Sequence, residues 1–369
     1  MLSAEEFLLK SIAINGRFLS QAVTGVQRYA RELLLELDQL LVSSPASAGP
    51  VEVLAPLNAG DDPPYKSLRI RKVGRLTGQL WEQADLPRFS RGKLLFTPCG
   101  GAPILHACNV VTIPDAAVFA TPLAYSRTYG TWYRTLNKYL GRSARRIITV
   151  SEFSRSELIK YCGISPQRLS VTQEGCDHMD RIDPDRSVLD QYGLTHSSYV
   201  LAVSSANPNK NFHGVVEAMR VLRDYPIRFV IAGNTNASVF GASGGMPASV
   251  IRVGHVSDAQ LRALYESAGC FVFPSFYEGF GLPPLEAMVC GSPVIAANIG
   301  ALRETCADAV LYCDPGNPAS ISASIFEIMN NGDLRSHLLE RAHVHTQKFR
   351  WKDVAAETWA ILQEVAADC

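Results

Sequence analysis

The sequence lacks the features that mark membrane-spanning and nucleic-acid-binding proteins. It contains no run of about 18 apolar residues, the length from which a transmembrane helix is inferred. Long charge-free stretches, such as Ala287 to Leu302, are interrupted by glycine and proline. The 35 basic and 35 acidic side chains balance, so no overall positive field favours nucleic acid as a partner.

Cysteine spacings typical of zinc sites or disulfide frameworks are also absent. The nine cysteines are scattered between Cys99 and Cys369, and no two of them are separated by two residues. Glu5 and Glu6 lie where a signal peptide would have an apolar core. We therefore expect unpaired cysteines and a cytoplasmic location.

No cluster of metal ligands stands out either. His106, His178 and His213 are isolated, and surface or core positions explain them better than metal binding. Asp183 and Asp185 form an Asp-x-Asp pair, but no apolar strand precedes them. We expect no metal site.

Short apolar runs alternate with amphipathic helical patterns along the 369 residues. Most of these runs are continuously apolar, which is typical of parallel strands covered on both faces and predicts an α/β fold. The predicted strands are Ser11–Ile14, Val51–Leu54, Lys93–Phe96, Val110–Ile113, Ile147–Val150, Tyr199–Ser204, Ile227–Ala232, Arg252–Val256, Cys270–Pro274 and Pro293–Ala297. The predicted helices include Val26–Leu41, Ser154–Tyr161, His213–Arg223 and Asp258–Ser267.

The most informative segment is a predicted strand, loop and helix between Phe271 and Gly291. Gly279 and Gly281 allow the backbone to approach a ligand closely, and two prolines at 283 and 284 suit the first turn of a helix. The positive end of such a helix favours an anion such as a diphosphate. Two carboxylates, Glu278 and Glu286, frame the loop and could accept hydrogen bonds from sugar hydroxyls.

Each of these residues also has an ordinary explanation. Gly-Phe-Gly could be a plain turn, and Glu286 could be a surface residue of a helix. The glycines, prolines and both acids in this order favour a site for a sugar nucleotide.

The Glu-x7-Glu spacing of Glu278 and Glu286 resembles the signature of retaining glycosyltransferases of family 4, which have the GT-B fold. Other segments are similar to that family: Gly25–Arg31, Ile147–Arg155, Ser204–Asn211 and Gly254–Asp258. Two positions depart from its pattern. Asn209 stands where the family usually has an arginine, and Pro114 stands where it often has a histidine before Asp115.

The resemblance implies a role for each matching residue. Glu278 would hold hydroxyls of the donor sugar, Glu286 would hold the ribose, and Lys210 would neutralise the departing diphosphate. The residues expected to be catalytic are Glu278, Lys210 and Asp115. The residues expected to bind the donor are Asn209, Lys210, Val256, Asp258, Glu278, Gly279, Phe280, Gly281, Leu282, Glu286 and Gly25.

Three of these residues keep an alternative. Asp115 could instead cap a turn or helix. Lys210 could be a solvated surface lysine. Asp258 could read the edge of a guanine base, or it could stabilise the first turn of a helix that begins with a capping box at Ser257 and Gln260.

The expected fold class is α/β of the GT-B type, with two Rossmann-like domains facing across a cleft. The N-terminal, acceptor-side domain would span residues 1–180, with a C-terminal helix in 349–369 packing back on it. The donor-binding domain would span 187–348, after the polar stretch Asp177–Arg186.

The expected reaction is retaining, metal-independent and cofactor-free transfer of a hexose. The donor would be a nucleotide-diphosphate sugar, with GDP-mannose preferred, and the acceptor a glycan or a lipid-linked sugar. A GT-B epimerase, a phosphorylase and an inactive sugar-nucleotide-binding protein stay as alternatives.

A basic and aromatic stretch lies in the N-terminal half. Residues 116–151 contain no acid, and between Arg127 and Arg146 tyrosine and tryptophan are interleaved with basic side chains. This composition is typical of a helix that lies on an anionic membrane, here at its inner face. A solvated face with aromatic residues packed on the core is the alternative.

Overall fold

The computed structural model describes residues 11–44, 50–203, 207–233 and 250–369, and the chain forms two units. The first unit comprises the residues through Gly175 together with Trp351–Cys369. The second comprises Cys176–Arg350. The chain therefore passes between the units after Gly175 and again after Arg350, a few residues from the boundaries expected at 180 to 187 and at 348.

The first unit is built on a seven-stranded parallel sheet with the order β3-β2-β1-β4-β5-β6-β7. Its strands are β1 Ile12–Asn15, β2 Val51–Ala55, β3 Arg69–Lys72, β4 Leu94–Thr97, β5 Asn109–Thr112, β6 Arg146–Thr149 and β7 Leu169–Val171. The interior strand β1 is wholly buried, and its Ile12 is in register with Val51 on one side and Leu94 on the other. The parallel order explains the continuously apolar strands.

Helices cover the faces of this sheet. They are α1 Gly25–Ser43, α2 Gly78–Leu80, a π-helical turn Trp81–Asp85, α3 Leu86–Phe89, α4 Ala117–Ala120, α5 Arg127–Ser143, α6 Glu152–Cys162 and the final helix α14 Trp351–Ala367. Helix α14 packs along α1, where the rings of Tyr29 and Trp351 meet edge to face at 5.9 Å. Because strand follows helix so regularly, this unit has the form of a Rossmann-like domain.

One expectation about cysteine is wrong in this unit. Cys108 and Cys369 form a disulfide that fastens the C-terminal residue beside β5. The two residues are 261 positions apart, so no local spacing could indicate the pair. Seven other cysteines are free.

The second unit contains a six-stranded parallel sheet with the order β10-β9-β8-β11-β12-β13. Its strands are β8 Tyr199–Val203, β9 Arg228–Ala232, β10 Val250–Gly254, β11 Cys270–Phe273, β12 Val294–Ala297 and β13 Leu311–Cys313. Its helices are α7 Ser187–Tyr192, α8 Phe212–Val221, α9 Asp258–Ser267, α10 Leu282–Val289, α11 Gly300–Cys306, α12 Pro318–Asn330 and α13 Gly332–Thr346. The order reverses between β8 and β11, and ligands of such sheets bind near the carboxyl ends of the strands at that point.

The polar stretch after Cys176 is not the linker that its composition suggests. Asp177–Arg181 forms a 3-10 turn of the second unit, in which His178 and Met179 are buried. Across the described ranges, no helix combines the length and apolar character needed to cross a membrane.

Candidate functional site

The loop after β11 turns at a glycine whose conformation and surroundings disfavour any side chain. Gly281 has φ +105 and begins α10 as its N-cap. A Cβ at this position would overlap Leu302 Cδ2, so both conformation and space require glycine. The hydroxyl of Thr305 donates to the Phe280 carbonyl at 2.7 Å and holds the turn from below. The predicted glycine turn at the start of a helix is therefore present.

The segment that carries Lys210 is fastened to the same loop. Pro208–Lys210 forms a 3-10 turn after the β8 strand, and the Phe276 amide donates to the Asn209 carbonyl at 2.8 Å. The buried Asn211, with φ 51, caps α8. Its amide nitrogen donates to the carbonyls of Pro274 at 3.0 Å and Pro315 at 2.7 Å. These contacts of Asn211 were not predicted from the sequence, although an asparagine before a helix is a capping signal.

The two residues expected to meet the donor sugar and its phosphates are in direct contact. Lys210 Nζ lies 2.7 Å from Glu278 Oε1, and the side chains are 28% and 12% exposed. The ammonium also lies over the Phe273 ring, 5.1 Å from its centroid. A half-buried ammonium can bind a phosphate, and an adjacent carboxylate can accept hydrogen bonds from hydroxyls of the same ligand.

Glu286 lies deeper, on α10, and contacts His178, which was expected to be isolated. His178 Nε2 lies 3.0 Å from Glu286 Oε1, and the side chains are only 2% and 9% exposed. A hydrogen bond to a buried carboxylate fixes its orientation. His178 is thus a core residue that positions Glu286, and their separation of 108 positions in the sequence explains why spacing gave no signal.

The predicted strand before Asp258 is displaced: β10 ends at Gly254, two residues earlier than expected. The capping box of α9 is present, since Ser257 Oγ accepts from the Gln260 amide and the Gln260 side chain accepts from the Ser257 amide. Asp258 is exposed in the first helical turn, beside Val256. A helix-stabilising role for Asp258 therefore has a structural basis, and a role in base recognition stays a proposal.

The first unit holds a cavity of about 320 Å³ near the carboxyl ends of β1 and β5. It lies beside Gly25, where α1 begins and a Cβ would meet no other atom. Asp115 lines it, and Asp115 Oδ1 accepts from the Ala117 amide at 2.7 Å, which is the geometry of an Asx turn. Pro114 lines it as well, and its carbonyl accepts from the hydroxyl of Thr149 at 3.2 Å.

A buried ion pair lies behind this cavity and was not expected from the sequence. Arg17 Nε is 3.0 Å from Glu82 Oε1, and Asn15 Nδ2 donates to the same oxygen at 2.7 Å. Burial raises the pKa of Glu82, although the nearby charge of Arg17 acts to lower it. Burial alone would lower the pKa of Arg17, but Glu82 and Tyr133 raise it above its usual value. The Arg17 guanidinium therefore has a buried carboxyl group as its direct partner.

Helix α5 carries the basic and aromatic stretch. Tyr129, Trp132 and Tyr139 are exposed on it. Arg146 is not part of this helix: it lies on β6, where its guanidinium pairs with Glu364 and donates to Ser170. The predicted basic surface therefore excludes Arg146.

The residues considered for metal binding are engaged elsewhere. Asp185 Oδ1 accepts from the Ser187 amide at 3.0 Å, and His106 Nε2 lies 3.2 Å from the Ser90 carbonyl. In the part of the chain that the structure describes, no three His, Cys, Asp or Glu residues form a candidate metal site.

Comparison with known proteins identifies the family. Residues 190–345 match the family described as glycosyl transferases group 1. O-antigen chain mannosyltransferase B of Escherichia coli is 32% identical over 263 residues, which cover 68% of each chain. This chain belongs to the glycosyl transferases group 1 family. O-antigen chain mannosyltransferase RfbU of Salmonella typhimurium is 26% identical over 247 residues, covering 66% of this chain and 67% of that protein.

The fold has solved counterparts. Sucrose-phosphate synthase from Thermosynechococcus elongatus superposes with a TM-score of 0.74 at 19% identity, covering 98% of this chain and 100% of that one. Together with the two parallel Rossmann-like sheets, this confirms the GT-B fold class. The chain is a glycosyltransferase, an enzyme that uses a nucleotide-sugar donor and a glycan acceptor.

Proposed function

We propose that this enzyme transfers mannose from GDP-mannose to a glycan or lipid-linked acceptor, with retention at the anomeric carbon and without a metal. The observation that carries the proposal is the 2.7 Å contact between Lys210 and Glu278 at the glycine turn before α10. The bond that breaks joins the sugar to its phosphate. A carboxylate for hydroxyls and an ammonium for phosphate, side by side, suit the two ends of that bond.

Charge stabilisation in this loop replaces a metal ion. Negative charge develops on the diphosphate as the sugar leaves, and a fixed ammonium with nearby amides stabilises it without reorganisation. Pro283 occupies the second helical position of α10 and Pro284 follows it, and neither has an N–H. In this mechanism, the amides of Gly279, Phe280, Gly281 and Leu282 are the donors assigned to the diphosphate. In this mechanism, the acceptor hydroxyl attacks the sugar on the same face from which the phosphate departs, and the departing phosphate takes the proton of that hydroxyl.

Mannose and guanine are supported by separate observations. Both relatives described above are named mannosyltransferases, which favours mannose as the transferred sugar. The exposed carboxylate of Asp258 at the start of α9 could accept from N1–H and N2–H of guanine. Uracil offers no such pair of donors.

The test is incubation with a panel of sugar nucleotides, scored for transfer against hydrolysis. Transfer from GDP-mannose is expected, and Lys210→Ala and Glu278→Gln should reduce turnover by roughly two to three orders of magnitude while the fold is kept. Glu327→Gln, on the exposed face of α12, is the matched control. Near-normal transfer by a well-folded Glu278→Gln protein would exclude this loop as the donor site. Epimerised sugar nucleotide as the product would favour the epimerase alternative.

We also propose that the exposed face of α5 contacts the inner, anionic surface of the membrane. Trp132, Lys138, Tyr139 and Arg142 lie on that face, and Arg145 follows the helix. Each cation near an anionic surface contributes about 1 kcal/mol. Charge reversal at Lys138, Arg142 and Arg145 should therefore weaken binding to phosphatidylserine-containing vesicles, and equal binding by the variant would make the face an ordinary solvated surface.

A further inference from the structure

The carbonyl of Phe280 needs a hydrogen-bond partner that its own helix cannot supply. It lies just before α10, where the residue four positions on is Pro284, which has no N–H. Phe280 is only 3% exposed, and a buried carbonyl without a partner is costly. The fully buried hydroxyl of Thr305, on α11, donates to this carbonyl at 2.7 Å. Thr305 therefore replaces the hydrogen bond that the proline removes.

The same hydrogen bond fixes the direction of an amide in the loop. A trans peptide group is planar, and its C=O and N–H point in opposite directions. Because the Phe280 carbonyl points at Thr305 on α11, the Gly281 amide of the same peptide points away from α11. This amide is one of the four assigned to the diphosphate. A rotation of the peptide would turn it away from the ligand, so the Thr305 hydroxyl can control phosphate binding without touching a phosphate.

A histidine holds Thr305 from the other side. His345, on α13, is 8% exposed, and its Nε2 lies 2.7 Å from the Thr305 carbonyl oxygen. A carbonyl can only accept, so Nε2 carries the hydrogen. Helix α11 has seven residues, and its last carbonyls need partners from outside the helix. His345 therefore anchors the end of α11 that carries the Thr305 hydroxyl.

An aromatic contact supports the same loop. The Phe349 ring meets the Phe280 ring at 5.8 Å and the His345 ring at 5.2 Å, both edge to face. Phe349 is 4% exposed, so the Phe280 side chain is enclosed. The peptide after Phe280 is thus held through its side chain as well as through its carbonyl.

We propose that Thr305 and His345 are positioning residues for the donor, which hold the peptide between Phe280 and Gly281 so that the Gly281 amide faces the diphosphate. The proposal rests on the proposed function, because it concerns the loop assigned to the donor. Neither side chain contacts the donor. Each acts through the backbone of the loop, so its loss should weaken the binding of phosphates and slow the transfer.

The experiment measures nucleotide binding by calorimetry and transfer by steady-state kinetics on the full-length chain. Thr305→Val removes the hydroxyl and keeps the shape of the side chain. GDP should bind about tenfold more weakly, and kcat should fall about tenfold, which is less than the loss of a whole donor would cost. GMP should lose no more than about threefold, because it has one phosphate fewer for the amides of the loop. Thr305→Ser keeps the hydroxyl and should stay within about threefold of the parent in both constants. If valine prevents folding, Thr305→Ala serves the same test.

Thr346→Val is the matched control. Thr346 is 5% exposed on α13, and its hydroxyl donates to the Ala342 carbonyl of its own helix at 2.9 Å. This variant loses a buried hydroxyl in the same unit and should keep the GDP affinity and kcat of the parent. A folded Thr305→Val protein with the parent constants would overturn the proposal. A Thr305→Ser protein as impaired as Thr305→Val would overturn it as well, because the hydroxyl would then not be the cause.

Variants of His345 test the second hydrogen bond. His345→Leu should weaken GDP binding in the same way, and His345→Gln can still donate to the Thr305 carbonyl and should recover most of the loss. Because His345 acts through Thr305, the double variant should bind GDP within about twofold of Thr305→Val alone. Additive losses would overturn this role of His345. His343→Leu, at an exposed position of α13, is the control for loss of a histidine.

The positioning role and the proposed function can fail separately. If Glu278→Gln and Lys210→Ala abolish transfer while GDP binding and kcat do not depend on Thr305, the positioning role is wrong and the proposed function stands. If the parent protein transfers no sugar while its GDP affinity depends on the Thr305 hydroxyl, the proposed function is wrong and the positioning role stands.

Discussion

Replacement of His178 tests how the proposed ribose carboxylate is held. His178→Leu removes the ring nitrogen that lies 3.0 Å from Glu286 Oε1, in a place where both side chains are almost fully buried. Loss of a hydrogen bond to a charged group costs about 1.5–3 kcal/mol, which corresponds to roughly 10- to 150-fold in an equilibrium constant. Ribose is bound equally in the ground state and the transition state, so the loss should raise the KM for GDP-mannose and leave kcat nearly unchanged.

The assay is steady-state kinetics together with calorimetric titration of GDP. His178→Gln keeps a donor for the carboxylate and should recover most of the lost affinity, whereas a purely space-filling role would favour the leucine. His213→Leu, at an exposed position of α8, controls for loss of a histidine in this unit. A folded His178→Leu protein with the parent KM and GDP affinity would refute the positioning of Glu286 by His178.

Three further predictions concern the loop, the metal and the base. Gly281→Ala should destabilise the protein by about 1–3 kcal/mol and impair GDP binding, because it adds overlap with Leu302 to the strain at φ +105. Gly291 has φ +75 and no atom near the position of a Cβ. Gly291→Ala should therefore lower the free energy of unfolding in urea through backbone strain alone, without a loss of GDP binding. Added EDTA should leave transfer unchanged, and activity that vanishes and returns with manganese would contradict the metal-free mechanism. Asp258→Asn should weaken the binding of GDP more than that of UDP or dTDP in competitive calorimetry. A preserved preference for GDP would leave Asp258 only the role of stabilising the first turn of α9.

The loop could be predicted because its residues are neighbours in sequence. Continuous apolar runs identify the strands, and a glycine turn followed by two prolines identifies the start of α10. The predicted helix Asp258–Ser267 has the observed bounds, since a capping box fixes where it begins. The GT-B fold class followed from the resemblance and is confirmed.

Elements whose stability depends on distant parts of the chain escaped prediction. Strand β3 reads Arg-Ile-Arg-Lys at the edge of its sheet, so it lacks an apolar run and is held by pairing with β2. Strands β7 and β13 have three residues each, too few to show a period. The Cys108–Cys369 disulfide and the His178–Glu286 pair are set by tertiary structure alone. The sequence pattern of α5 indicates an amphipathic helix, but it does not indicate which of its tyrosines line a cavity.

Retaining transfer by Lys210 and Glu278 is tested by NMR of the product formed from GDP-α-mannose and an acceptor glycoside. We expect one α-linked mannosyl product for each GDP released, in the presence of EDTA, and almost none with Lys210→Ala. A β-linked product, or release of free mannose as the only product, would contradict retaining transfer by the Lys210 and Glu278 pair.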